Sequence, residues 1–229
     1  LANRQLNFSD DISQATGSEV LWVCYDTPVD ADDRSDLDWV FSRLDQVLPS
    51  MEAGTVVLLS SQLPVGTCAQ LAEKYPKLIF ACSPENLRLG KAIAAFEKPA
   101  RVIVGAPSTA RPQLEALLAP LNAPLIWMRP ESAEMVKHAL NSFLALSVAY
   151  INEIACLSET VGADAQEVAT GLKSDPRIGP RAYLGPGGPF AGGTLARDVV
   201  SLSQLGQSKA LSLSLIPAIK ESNDRHRSW

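Results

Sequence analysis

The sequence predicts an α/β protein, a partial Rossmann-like parallel sheet followed by an all-helical segment built around one long helix. Three observations lead there. Over about the first 130 residues, short continuous apolar runs alternate with amphipathic stretches, the pattern of strands buried on both faces and joined by helical crossovers. From Pro130 onward the apolar period becomes that of helices. With 46% apolar and 20% charged residues, the 229-residue chain has ample material for a buried core.

The elements follow in order. Val20-Leu21-Trp22-Val23-Cys24-Tyr25 reads as a buried strand, followed by an acidic turn from Asp30 to Asp36 and a helix over 37–48. The next strand covers 55–60, and Gly66 precedes a helix over 67–74. Apolar runs at 78–82, 101–105 and 124–128 give three further strands, with a helix over 110–118 between the last two. Residues 131–161 form one periodic stretch, about 46 Å long if wholly helical. Its apolar positions, among them Met135, Leu140, Phe143, Val148 and Ile151, form a band too broad for one contact face. A dimer seam and an intrachain helical core fit that band equally. Gly162 stops this helix, and Asp164 with Glu167 opens the next. Helices over 195–205 and 211–226 complete the chain, so two domains are expected, 1–130 and 131–229.

Twenty basic against twenty-five acidic residues leave a net charge of −5, which gives no bulk attraction for nucleic acid or anionic lipid. No uninterrupted apolar run approaches the roughly 20 residues of a bilayer span, and no membrane or nucleic-acid partner is expected. Leu1-Ala2-Asn3-Arg4 carries neither an initiator Met nor a signal-peptide core, and reads as the interior of a longer chain. Cys24, Cys68, Cys82 and Cys156 lack metal-ligand spacing and are expected as reduced thiols of a cytoplasmic protein. No metal site is expected.

Several segments could carry chemistry. Five glycines between Gly185 and Gly193 precede a predicted helix, where unpaired amides favour an anion; a plain connecting loop fits the pattern as well. Lys137 and Asn141, spaced i, i+4, share one helix face among apolar neighbours. Such a lysine either binds an anion or oxyanion, or packs its stem while its head reaches water. Glu85 and Thr27 follow strands, at the sheet edge where ligands of open α/β folds gather. An acid there is a general-base candidate or a solvated loop residue. His138 points to a different face from Lys137 and is read as structural.

Joined together, five stretches resemble the UDP-glucose/GDP-mannose dehydrogenase family. They are Cys24-Tyr25-Asp26-Thr27-Pro28; Ser60-Ser61-Gln62-Leu63-Pro64-Val65-Gly66-Thr67; Ser83-Pro84-Glu85-Asn86-Leu87-Arg88-Leu89-Gly90 with Arg101-Val102-Ile103-Val104-Gly105; Ser132-Ala133-Glu134-Met135-Val136-Lys137; and Asp175-Pro176-Arg177-Ile178-Gly179 leading to Phe190-Ala191-Gly192-Gly193-Thr194-Leu195-Ala196-Arg197-Asp198. They occur in order, from about residue 10 to the C-terminus.

The resemblance implies an NAD-dependent enzyme that oxidises the primary alcohol of a UDP- or GDP-sugar twice, through a cysteine-bound thiohemiacetal, to a uronic acid. It implies a homodimer through the helical domain and a nucleotide-sugar substrate. By the same resemblance, Tyr25, Thr27 and Pro28 belong to the NAD site, and Thr27 helps place a water that Glu85 handles. Lys137 stabilises an oxyanion, and Asn141 and Asp198 orient the sugar hydroxyl and water. Arg177, Asn86, Leu87, Phe190 and Gly192 contact the substrate. The family's nucleophilic Cys aligns with Thr194, whose hydroxyl is neither ionised nor strongly nucleophilic. A single-oxidation variant and a non-catalytic dimeric scaffold are therefore the alternatives. Arg197 stands where the family usually has Lys. No Gly-x-Gly-x-x-Gly turn occurs, so the first strands of the cofactor domain are expected to lie outside this sequence.

Overall fold

The strand β2 (Val56–Leu59) is buried at all four positions. Because successive side chains alternate across a strand, Val57 and Leu59 enter one core and Val56 and Leu58 the other. This two-sided burial explains why its sequence is an unbroken apolar run. In the computed structural model, which describes residues 6–30, 34–85, 87, 90–191 and 193–229, β2 lies between β1 (Val20–Val23) and β3 (Ile79–Cys82). Beyond β3 come β4 (Val102–Gly105) and β5 (Leu125–Met128), giving the order β1-β2-β3-β4-β5.

One face is covered by α1 (Leu37–Val47), through Val40 and Leu44, and by α2 (Thr67–Lys74), through Cys68 and Leu71. Leu114 and Leu118 of α4 (Arg111–Leu118) pack on the other. Asp36 caps α1 by accepting from the Trp39 amide.

The expected Rossmann-like parallel sheet is present, with one antiparallel join. β1, β2 and β3 are parallel, as are β4 and β5, but β3 meets β4 antiparallel through the single pair Cys82 with Gly105. The intervening α3 (Ala92–Glu97) has only six residues, none fully buried, and meets the sheet through Phe96, whose ring lies 6.0 Å from that of Trp22.

Two compact units divide the chain, Leu1–Pro28 with Asp36–Lys137, and Val29–Ser35 with His138–Trp229. The division falls within α5 (Pro130–Val161), between Lys137 and His138. The second unit also contains α6 (Ala165–Ser174), α7 (Leu195–Ser208) and α8 (Leu215–His226). Its cores gather Ala145, Ala149, Val199 and Ile219, and separately Ile151, Ala169 and Leu184. Gly162, with a φ of 73°, ends α5, and Asp164 caps α6 through the amides of Gln166 and Glu167.

Two helix expectations change. By length and composition α5 is apolar enough to cross a membrane. Ser142, Ser147, Asn152 and Ser158 break its apolar runs, and all four are buried, as in the core helix of a packed domain. The last helix begins at Leu215 rather than 211. The Leu211 amide folds back to the Gly206 carbonyl, and Leu213 covers Gly206, where a Cβ would come within 2.5 Å of its Cδ1.

Candidate active site

Parallel pairing brings the carboxyl ends of β1, β2 and β3 level, with Val23 beside Leu59 and Leu59 beside Cys82. The segments carrying Thr27, Ser60 and Glu85 therefore leave the same sheet edge. Hydrogen bonds tie these exits together. Trp22 Nε1 donates to Ser60 Oγ at 2.8 Å, and Ser60 Oγ donates to the Ser83 carbonyl at 2.8 Å. Ser83 Oγ donates in turn to the Ile103 carbonyl at 2.9 Å. Buried Thr27 donates from Oγ1 to the Gln62 carbonyl at 2.9 Å. The backbone that carries Glu85 is thus latched through Ser83 to Ser60, just past β2, and to Ile103 of β4.

The start of α5 is fixed to the same unit from two sides. A Cβ built on Gly105 would sit 2.6 Å from Ala133 Cβ and 2.7 Å from Pro130 Cα, so only glycine lets the helix approach β4 this closely. Buried Glu134 accepts from the Gly66 amide at 2.6 Å and the Cys68 amide at 2.8 Å. A carboxylate from one helix thereby caps another, which has no side-chain cap of its own.

One turn past Glu134 lies Lys137. Its Nζ donates to the Glu85 carbonyl at 2.7 Å and stands 3.8 Å from Glu85 Oε1. The lysine side chain is only 11% exposed, so its head is held by Glu85 rather than by bulk water. The Glu85 carboxylate accepts from the Leu87 amide. Within this unit, then, the structure joins Glu85, Leu87 and Lys137. A carboxylate with a cation beside it can accept a proton while the cation stabilises a neighbouring negative oxygen.

Tyr25 is exposed and meets Trp39 edge-on at 5.8 Å between ring centroids; Pro28 is exposed, and its carbonyl accepts from the Asp36 amide. These accessible ring faces at the strand ends suit the flat part of a dinucleotide. Buried Ser61 Oγ has no hydrogen-bond partner at the same edge, which leaves polar capacity there. The residues fit NAD on that side, while no glycine turn for its phosphates is present in this sequence.

The second unit carries a separate buried cluster. Asn141 Nδ2 donates to Asp198 Oδ2, and His138 Nδ1 lies 2.8 Å from Asp198 Oδ1. Asp198 is fully buried in the first turn of α7; His138 and Asn141 are 3% and 4% exposed. His138, read from the sequence as structural, is buried here and, spaced i, i+3 from Asn141, reaches the same carboxylate. Thr194 is the exposed N-cap residue of α7 and makes no side-chain capping bond.

The glycine loop does not offer its amides freely. Gly187 N donates to Asn152 Oδ1 and Phe190 N to Asn223 Oδ1, while the Gly187 carbonyl lies 2.8 Å from His226 Nε2. Those amides are spent on buried asparagines, so the anion-cradle expectation is corrected for Gly187 and Phe190. The Phe190 ring packs against the helical core. Arg177 is 88% exposed and paired with Asp175. Asn86 and Gly192 lie outside the described residues.

Three of the four cysteines, Cys24, Cys68 and Cys82, are poor nucleophiles. Burial, with the Glu134 carboxylate nearby, pushes the Cys68 thiol far above the usual range, and the same causes raise Cys82. Burial also raises Cys24. Cys156 Sγ lies 3.8 Å from His226 Nδ1.

Comparison with known proteins covers nearly the whole chain. Residues 1–122 match the NAD binding domain of the UDP-glucose/GDP-mannose dehydrogenase family, and residues 131–225 match its central domain. The UDP-glucose 6-dehydrogenase TuaD of Bacillus subtilis (strain 168) is 33% identical over 98% of this chain and 50% of its own length. The UDP-glucose 6-dehydrogenase of Rhizobium meliloti (strain 1021) is 32% identical over 99% of this chain and 55% of its own. A UDP-glucose dehydrogenase structure from Pyrobaculum islandicum superposes with a TM-score of 0.83 at 29% identity, covering 96% of this chain and 53% of that one. The chain thus spans about half the length of the relatives it matches. With both domain models matched in order over nearly every residue, on a fold shared with a solved relative, the chain belongs to the UDP-glucose/GDP-mannose dehydrogenase family.

Proposed function

We propose that this chain is the core of a cytoplasmic, NAD-dependent enzyme that oxidises the primary alcohol of a UDP- or GDP-sugar towards a uronate. The observation that carries the reading is the Lys137–Glu85 pair, a nearly buried ammonium held against a carboxylate and a carbonyl. When bound, NAD supplies the hydride acceptor; Tyr25, Thr27 and Pro28 would line its site. Lys137 stabilises negative charge on the sugar oxygen as its proton passes to a neighbouring water, and Glu85 receives a proton from the water that later adds to the oxidised sugar carbon. Asn141 and Asp198 orient the sugar hydroxyl and that water. Leu87, Asn86, Phe190, Gly192 and Arg177 serve the substrate.

Thr194 favours a second reading, a single oxidation that ends at the aldehyde. An unactivated hydroxyl is a far weaker nucleophile than a thiolate at neutral pH, and no buried cysteine replaces it. Counting reduced nicotinamide per sugar consumed by the full-length protein separates the two. Two per sugar supports the uronate and one the aldehyde, while none, with the fold intact, leaves a scaffold.

The enzyme acts as a homodimer in this proposal. Phe143, Tyr150, Leu157 and Val161 form an exposed apolar stripe on α5 with spacings of seven, seven and four. A two-fold seam pairing this stripe with its own copy covers it in both subunits.

A further inference from the structure

Asp198 has no exposed surface, and each of its oxygens meets a side chain from α5. An ionised carboxylate only accepts hydrogen bonds, so the neighbour on each oxygen must donate. For Asn141 this fixes the amide: Nδ2 faces Asp198, and Oδ1 is left as its acceptor. For His138 it fixes the proton: Nδ1 carries a hydrogen, whatever the state of Nε2. The two donors also hold the carboxylate against rotation, since turning it breaks both bonds at once.

We propose that His138 is a positioning residue for sugar oxidation, locking Asp198 and through it the Asn141 amide in the orientation that receives the sugar hydroxyl. This rests on the proposed function for its catalytic consequence. The Nδ1 hydrogen bond itself does not depend on that function. The location of His138 in the sequence hides the role: beside Lys137 it looks like a bystander, and only the i, i+3 step to Asn141 places it against Asp198.

The test uses the full-length protein with His138→Leu, which removes the donor at similar bulk, and His138→Asn, whose Nδ2 can donate from near the Nδ1 position. The expected result is a kcat about 10- to 100-fold lower in the leucine variant, with the KM for NAD unchanged and most of the rate restored in the asparagine variant. A purely structural histidine would instead lower the melting temperature of both variants and leave kcat per folded molecule unaltered; that result overturns the proposal. Nitrogen-15 NMR of the labelled imidazole supplies the readout that needs no activity. A protonated Nδ1 in the wild type is expected, and an unprotonated Nδ1 overturns the inference. Should the wild type turn over no nucleotide sugar, the functional reading fails and the NMR signal alone decides whether His138 holds Asp198.

Discussion

Replacing Glu134 by Ala removes the carboxylate that ties the start of α5 to α2. Two backbone donors lose their acceptor, Gly66 N at 2.6 Å and Cys68 N at 2.8 Å. Cys68 is 2% exposed, so water does not readily take over. A buried donor left unsatisfied costs about 1–3 kcal/mol, and charge-assisted bonds sit towards the upper end. Two of them give roughly 2–6 kcal/mol. Each kcal/mol moves the unfolding midpoint by about 2–4 °C for a chain of this size, so a fall of at least ~4 °C is expected by near-ultraviolet circular dichroism. Glu134→Gln keeps one acceptor and should lose about half as much. A second readout is chemical. Burial is the main cause of the raised Cys68 thiol, and the Glu134 carboxylate adds to it. Native Cys68 should therefore resist a thiol reagent at pH 8 and react faster in Glu134→Gln. A Glu134→Ala protein that melts within about 1 °C of the wild type, with unchanged Cys68 reactivity, would refute the capping argument.

The other predictions follow from close approach and from exposure. Gly105→Ala places a methyl 2.6–2.7 Å from Ala133 Cβ and Pro130 Cα, so destabilisation of about 1–3 kcal/mol is expected in denaturant melts. Adding Ala133→Gly should recover only part of it, because Pro130 Cα is backbone; full recovery would show that the contact with Pro130 is unimportant. Tyr150→Glu with Leu157→Glu, in the exposed stripe of α5, should convert a dimer to a monomer in sedimentation velocity without loss of helix content. An unchanged sedimentation coefficient would place the seam elsewhere.

How far the sequence foretold these results depends on the range of the forces involved. Strand positions were legible to within a residue or two, because burial on both faces of a sheet demands uninterrupted apolar runs such as Val56–Leu59. Local caps were legible as well: Asp164 bonds amides two and three residues ahead, a pattern written in consecutive letters. The direction of β4 was not, since an apolar run reads alike both ways and α3 is too short to leave a periodic signal. At the site, the motifs supplied Glu85, Lys137, Asn141 and Asp198, but not their pairing. Glu134 stood inside a quoted motif without a role, because its partners Gly66 and Cys68 are far away in sequence and are backbone amides. His138 was discounted by comparison with Lys137 rather than Asn141. Buried polar residues on an otherwise apolar helix were the available signal. Asn152 carried that signal too, and it holds the glycine loop with Asn223.

The central claim is that the Lys137–Glu85 pair performs chemistry on a nucleotide sugar with NAD as oxidant. The direct measurement is sugar-dependent appearance of reduced nicotinamide by the full-length protein, its Lys137→Met variant and its Glu85→Gln variant, over a panel of UDP- and GDP-sugars. The account predicts turnover of at least one nucleotide sugar by the wild type and a kcat lower by about 10²- to 10³-fold in Lys137→Met, with the fold retained. Wild-type turnover that survives Lys137→Met unchanged, or a folded wild type that reduces NAD with no nucleotide sugar, would contradict it.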